Sequence, residues 1–137
     1  MDLSKLRPGL KGTATLRVGA EHTAPRVGSG RVAVLATPVM INLIEAAALD
    51  ACEDLLPDNV QSLGIHLDVR HFAATPVGMV VEAIAELLSI EGRTLTFRVE
   101  ARDERGLIGD GSHQRVVVNV SRFDERVQRK LAPPPAR

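Results

Sequence analysis

The sequence predicts an α+β domain in which an antiparallel sheet wraps around one long central helix. Two observations carry this. A single helical stretch opens at Thr37-Pro38 and stays apolar through residues 39–56, which is about five turns. Four extended runs then follow at 60–73, 79–90, 93–103 and 107–121, joined by short connections that include glycine. Alternating runs with such connections form antiparallel hairpins.

The elements read in order as follows. Residues 10–18 alternate Thr13, Thr15 and Arg17 against Ala14, Leu16 and Val18, a strand with one buried face. Residues 19–30 are rich in Gly, Thr, Ser and Pro and read as a mobile loop or lid. Residues 31–36 read as a short second strand. Thr37 is placed as N-cap with Pro38 at the first helical position. The helix carries apolar residues on nearly every side, which predicts burial on nearly every side. Pro57-Asp58-Asn59 ends it. The tail from Phe123 predicts a short helix, and Ala132-Pro133-Pro134-Pro135 a disordered end. The expected organisation is one domain over residues 1–125 and a tail over 126–137. One sheet layer on one helix leaves edges open, so a dimer that continues the sheet is expected.

Composition narrows the function. Lys plus Arg equals 17, as does Asp plus Glu, so the formal net charge is zero. Nucleic-acid binding is not expected without a basic excess. The four histidines at 22, 66, 71 and 113 lack paired ligand spacing, and Cys52 is the one cysteine, so no metal is expected. The single thiol points to a reducing cytoplasm. No leader pattern and no bilayer-length apolar run is present. With three Phe and neither Tyr nor Trp, the core must be aliphatic.

Glu45 lies on the apolar helix, where a carboxylate is costly unless paired. A helix face open at a dimer groove is the plainer explanation. His71 falls in phase with Leu63, Ile65, Leu67 and Val69, on the apolar face of its strand. His66, Asp68 and Arg70 fall on the other face. A histidine there is commonly a satisfied core residue, but Glu45 on the covering helix offers an acid–base partner. Thr37 reads first as a cap, at a helix start that favours anions. Glu45 is about 12 Å further along the helix, so the two can line one cleft without touching. Gly64 marks either a bulge or a close backbone approach by a ligand, with its N–H as a possible oxyanion donor. Gly109, Gly111, His113 and Arg115 read as a twisted or bulged strand with polar residues outward. Arg93, Arg102, Arg105 and Arg115 are candidate partners for a phosphate-bearing ligand.

The set Ala36-Thr37-Pro38-Val39-Met40-Ile41, Glu45, Gly64, Val69-Arg70-His71 and Ala74-Thr75-Pro76-Val77-Gly78 resembles the fluoroacetyl-CoA thioesterase-like family of hotdog proteins. Gly92-Arg93, Asp103, Gly106 and Gly109-Asp110-Gly111-Ser112-His113-Gln114-Arg115 extend the match over roughly residues 5–125. The resemblance implies a hotdog fold, a homodimer or larger assembly, and acyl-CoA thioester hydrolysis at the dimer interface without a cofactor. It places catalytic roles on Thr37, Glu45 and His71, an oxyanion role on Gly64 and a site arginine on Arg115. The fluoroacetyl-specific enzyme of the family uses lid phenylalanines, whereas this chain has no Phe before Phe72. Its lid candidate is Arg26-Val27-Gly28-Ser29-Gly30-Arg31. A short or medium acyl-CoA is therefore expected in place of fluoroacetyl-CoA. His71 would serve as general acid or base, Glu45 as its orienting partner or as a nucleophile, and Thr37 as a positioning hydroxyl. A non-catalytic acyl-CoA-binding module is the alternative. A hydratase is disfavoured, because no spaced Asp-and-His motif of that kind is present.

Overall fold

The computed structural model describes residues 1–136. Five antiparallel strands, β1 (Lys11–Arg17), β2 (Val60–His71), β3 (Val80–Glu91), β4 (Thr94–Asp103) and β5 (Gly106–Asn119), form one sheet in the order β1-β3-β4-β5-β2. Three α-helices accompany them: α1 (Ala24–Val27), α2 (Thr37–Cys52) and α3 (Val120–Gln128). The helix α2 crosses one face of the sheet, chiefly against β1 and β3. This is the expected α+β arrangement.

Small residues set the distance between helix and sheet. Gly12 of β1 pairs with Ala85 of β3, and Ala14 pairs with Ala83. Above them, α2 buries Ala47, Ala48 and Ala51. A Cβ on Gly12 would run into the Ala47 carbonyl oxygen and the Ala51 backbone nitrogen. Larger side chains then fill the volume beyond this contact: Met40 and Ile44 from α2, with Leu87, Leu95 and Phe97 from the sheet, all fully buried. Phe97 is the one aromatic in that core.

The helix is amphipathic. Met40, Ile44, Ala47, Ala48, Ala51 and Cys52 are buried, whereas Asn42, Ala46, Leu49 and Asp50 are exposed. Burial on nearly every side is therefore not found, because a single sheet layer covers only one side of a helix. The α-helix stops at Cys52 and tightens into a 3₁₀ turn at Glu53–Leu55. Burial pushes the Cys52 thiol up to about 11, with the neighbouring Glu53 carboxylate adding to the effect.

Residues 31–36 do not form a strand. Only Leu35 bridges, to Thr23. The whole excursion from 19 to 36 is a set of short turns. It comprises a 3₁₀ turn at Ala20–His22 and α1, whose C-cap Gly28 takes the left-handed φ of 94°. Its far end is tied down by backbone bonds from Leu35 to Thr75 (2.9 Å) and from Ala36 to His22 (2.9 Å). At the C-terminus, β5 ends at Asn119, whose side chain caps α3 by accepting from Arg122 N at 3.1 Å. The tail helix thus starts at Val120, ahead of Phe123, and runs past residue 125. Arg137, in the expected tail, lies outside the described residues.

The contact at Gly12 yields a prediction. Gly12→Val drives a branched side chain into helix backbone that cannot yield. A loss of about 3 kcal/mol, the upper end of overpacking costs, is expected, read as the shift in the urea midpoint.

Candidate active site

The candidate residues gather in two clusters along β2. At its C-terminal end, Thr37 and His71 meet. Thr37 is the first residue of α2 and not its cap: Ala36 holds the N-cap position, with φ −70° and ψ 138°. The Thr37 hydroxyl is therefore free for another partner, and its Oγ1 lies 2.7 Å from His71 Nδ1. His71 Nε2 is buried and has no hydrogen-bond partner. Burial lowers the His71 pKa, against a smaller upward pull from the Ala73 backbone. The pair lines a cleft of about 380 Å³ together with Arg31, Val32, Leu35 and Phe72. The segment expected to act as a lid reaches this cleft through Arg31 and Val32.

Towards the middle of β2, Glu45 of α2 meets a buried polar network. Its Oε2 accepts from Arg115 Nη1 at 3.4 Å and lies 4.0 Å from His113 Nε2. Arg115 Nη1 also contacts His113 Nε2 at 3.1 Å. Arginine has no acceptor, so His113 must accept there. Its Nδ1 then carries the proton and donates to the His66 carbonyl at 2.9 Å. His113 is completely buried, and that burial is the largest cause of its lowered pKa. Arg115 Nε donates to Ser62 Oγ at 2.7 Å and Nη2 to the Ser62 carbonyl at 3.1 Å. Ser62 Oγ in turn donates to Glu53 Oε1 at 2.7 Å, and Ser62 N to Glu53 Oε2 at 2.9 Å.

Gly64 stands between these groups. A Cβ there would collide with Glu45 Oε2 and crowd His113 Cε1. The absence of a side chain at Gly64 is what lets the carboxylate reach β2.

Within one chain, then, His71 is paired with Thr37, and Glu45 with Arg115. The expected single cleft holding Thr37 and Glu45 is not formed by one copy. A bulge explains why the sequence phase misled. Gly64 pairs with Arg115 and His66 with Gln114, which leaves Ile65 without a partner. Opposed residues share a face, so Ser62 and Gly64 point at the helix side with buried Val117 and Arg115. Beyond the bulge, Leu67 and His71 take that side. Leu63 and Ile65, placed on the apolar face by simple alternation, are exposed. His113 and Arg115, read as outward-facing, point inward and are buried. Ser62 was missed for the same reason, whereas Glu53, in the turn after α2, becomes a candidate only through its bonds to Ser62.

The arginines proposed for phosphate contact are dispersed. Arg102 lies 3.4 Å from Glu100, and Arg105 sits on the β4–β5 turn beside a small cleft. Arg93 lines a groove of about 770 Å³ with Arg122, Arg126 and Arg129, at the other end of β2 from His71. Among the described residues, no group of three or more His, Cys, Asp or Glu side chains gathers to hold a metal. No described helix is long and apolar enough to cross a membrane.

An antiparallel five-stranded sheet wrapped on one long helix is the architecture of hotdog thioesterases, and solved structures match it. The solved structure of a fluoroacetyl-CoA thioesterase superposes with a TM-score of 0.86 at 35% identity, covering 93% of this chain and 98% of that one. A Thermus thermophilus hypothetical protein of the thioesterase superfamily superposes with a TM-score of 0.83 at 28% identity, covering 90% and 91%. The fluoroacetyl-CoA thioesterase of Streptantibioticus cattleyicolor is 42% identical over 97 residues, which span 71% of this chain and 70% of the relative. The family described as fluoroacetyl-CoA-specific thioesterase matches residues 18–121, and the chain belongs to that family of hydrolases.

The burial of His71 sets its titration. The imidazole should stay neutral below its ordinary value of about 6.5, because burial disfavours the cation. Proton NMR of the His71 ring across pH, assigned with His71→Gln, checks this. A midpoint at or above the ordinary value contradicts it.

Proposed function

We propose that the protein hydrolyses short or medium acyl-CoA thioesters to the free acid and CoA, with Thr37, Glu45 and His71 as its catalytic groups. The carrying observation is the Thr37–His71 pair: Thr37 holds Nδ1, while Nε2 is buried and left without a hydrogen-bond partner in a side chain that lines the cleft. With Nδ1–H donated to the Thr37 hydroxyl, Nε2 carries a lone pair. Its lowered pKa keeps that lone pair free at neutral pH, as a general base requires. Support also comes from relatives, since a threonine-to-serine variant of a fluoroacetyl-CoA thioesterase was solved with acetyl-CoA.

In the proposed reaction, water adds to the thioester carbonyl carbon as His71 Nε2 takes its proton. The Gly64 N–H supports the oxyanion. The C–S bond then breaks, and the proton passes to the departing CoA thiolate. Glu45 supplies the negative charge that steadies the imidazolium and orients the water. The cleft is bounded by Val32, Leu35 and Phe72, aliphatic but for one ring, which suits a short or medium acyl chain.

The site is completed in a homodimer. The β2 strand is an edge, and Leu63, Ile65 and Leu67 on it are between 37% and 54% exposed. Leu49 on the uncovered side of α2 is also exposed. Long apolar edges invite pairing. Antiparallel pairing of two β2 edges would run the Thr37–His71 end of one copy toward the half of the other's β2 that meets Glu45. That brings together two clusters that a single chain keeps apart. An acyl-CoA substrate and a single unpaired thiol fit a reducing cytoplasm.

An acyl-CoA panel followed by thiol release tests the reading. His71→Ala and Glu45→Ala should each lower kcat by about 100-fold or more, the usual size of an acid–base contribution. Binding of CoA esters without turnover by the folded wild type overturns it. Ile65→Lys should convert the dimer to monomer in analytical ultracentrifugation and abolish turnover together. A fully active monomer contradicts the shared site.

A further inference from the structure

We propose that Ser62, Glu53 and His113 are positioning residues, which lock the Arg115 guanidinium and through it hold the Glu45 carboxylate against Gly64. The inference rests on the reading of Glu45 as a catalytic group.

The hydrogen bonds show which member is held and which is resting. Arg115 is 5% exposed and Ser62 6%. The guanidinium is gripped from the Ser62 side at 2.7 and 3.1 Å, and from His113 at 3.1 Å. Its bond to Glu45 is longer, at 3.4 Å, and the Glu45 side chain is 36% exposed. Four of its N–H donors are thereby engaged, and three of the four point at Ser62 and His113. Removing Glu45 would leave the cation in place, whereas removing the Ser62 hydroxyl would take away the shortest contact to the guanidinium and its link to Glu53.

Charge accounting points the same way. A buried guanidinium is costly unless its charge and its donors are answered. Glu45 alone, long-bonded and part-exposed, is a weak answer. Glu53 gives a second carboxylate, relayed through the Ser62 hydroxyl, which accepts from Arg115 and donates to Glu53. His113 answers Nη1 as a neutral acceptor, so it adds no competing positive charge. The groups facing Glu45 from the sheet are thus Arg115 and His113 on β5, with His66 on β2 behind His113. The nearby acid on its own helix, Asp50, is turned away and accepts from Thr13 N. The result is a carboxylate aimed by a fixed cation yet bonded loosely enough to exchange that contact for water or substrate.

Two measurements on the full-length protein test this. Ser62→Ala should lower kcat roughly 10-fold, within the range of measured coupling between contacting residues, and leave KM within about twofold. The same change in a Glu45→Gln background should cost nothing further, and Ser62→Thr should restore the rate. Equal losses in both backgrounds, or a loss confined to KM, overturn the proposal. The second readout needs no turnover. By ¹⁵N NMR, wild-type His113 should show a protonated Nδ1 and a bare Nε2. Ser62→Ala removes the 2.7 Å contact to Nε and the link to Glu53 while keeping the backbone carbonyl contact, so the guanidinium loosens, its charge sits less firmly against the ring and His113 protonation should move to higher pH. Unchanged His113 signals overturn the lock. Glu53→Gln, which keeps an oxygen to accept from Ser62, serves if Ser62→Ala does not fold, with the same coupling test. Loss of all acyl-CoA turnover in the wild type would instead defeat the hydrolase reading and leave the NMR result standing.

Discussion

Ile65 has no partner on β5, and the arrangement of the polar residues depends on that one unpaired position. A strand alternates faces with a period of two, so one extra residue inverts everything beyond it. In β2 the inversion lets two sets of inward positions coexist. Ser62 and Gly64 face the helix side before the bulge, and Leu67 and His71 after it. Without the bulge, either the Ser62–Arg115 contact or the Thr37–His71 contact would be on the wrong side of the sheet. Leu63, alternating with Ser62 and Gly64, and the bulged Ile65 both stand outward along an open edge, where apolar side chains call for a covering surface. Site construction and the tendency to pair thus meet on one strand.

Much of the architecture was legible in the sequence, and the gaps have physical reasons. The long helix, the four later strands and their hairpin connections follow from periodicity and glycine placement. They appear with boundaries shifted by up to about four residues. Residues 31–36 looked like a strand because Val32, Val34 and Leu35 are strand formers. Their backbone groups instead bond to Ala24 and Thr75 across turns, and local propensity cannot see such tertiary partners. Thr37 matched the cap preference, yet chain geometry put Ala36 there and released the hydroxyl to His71. His71 itself was placed on the correct face because it lies beyond the bulge. Ser62, His113 and Arg115 were assigned the wrong face or none. Gly64 carried the available hint, as a glycine amid substantial side chains.

The two histidines at the centre show how burial divides labour. Both have lowered pKa values, chiefly from burial. His113 spends both ring nitrogens on Arg115 and the His66 carbonyl, and is a fixture. His71 spends one on Thr37 and keeps the other. The difference lies in hydrogen-bond accounting, and a pKa direction alone would not separate them. Above both, the small residues Gly12, Ala47 and Ala51 let α2 sit low on the sheet, which brings Glu45 within reach of β5.

Cys52 closes α2 a short step from this network, buried and with its thiol pushed up to about 11. Thiolates, not thiols, attack activated acyl groups. A thioester held in a binding site can acylate any reactive sulfur within its reach. Here the only sulfhydryl is kept protonated and buried, so it does not compete for the acyl group of the compounds the protein is proposed to cleave.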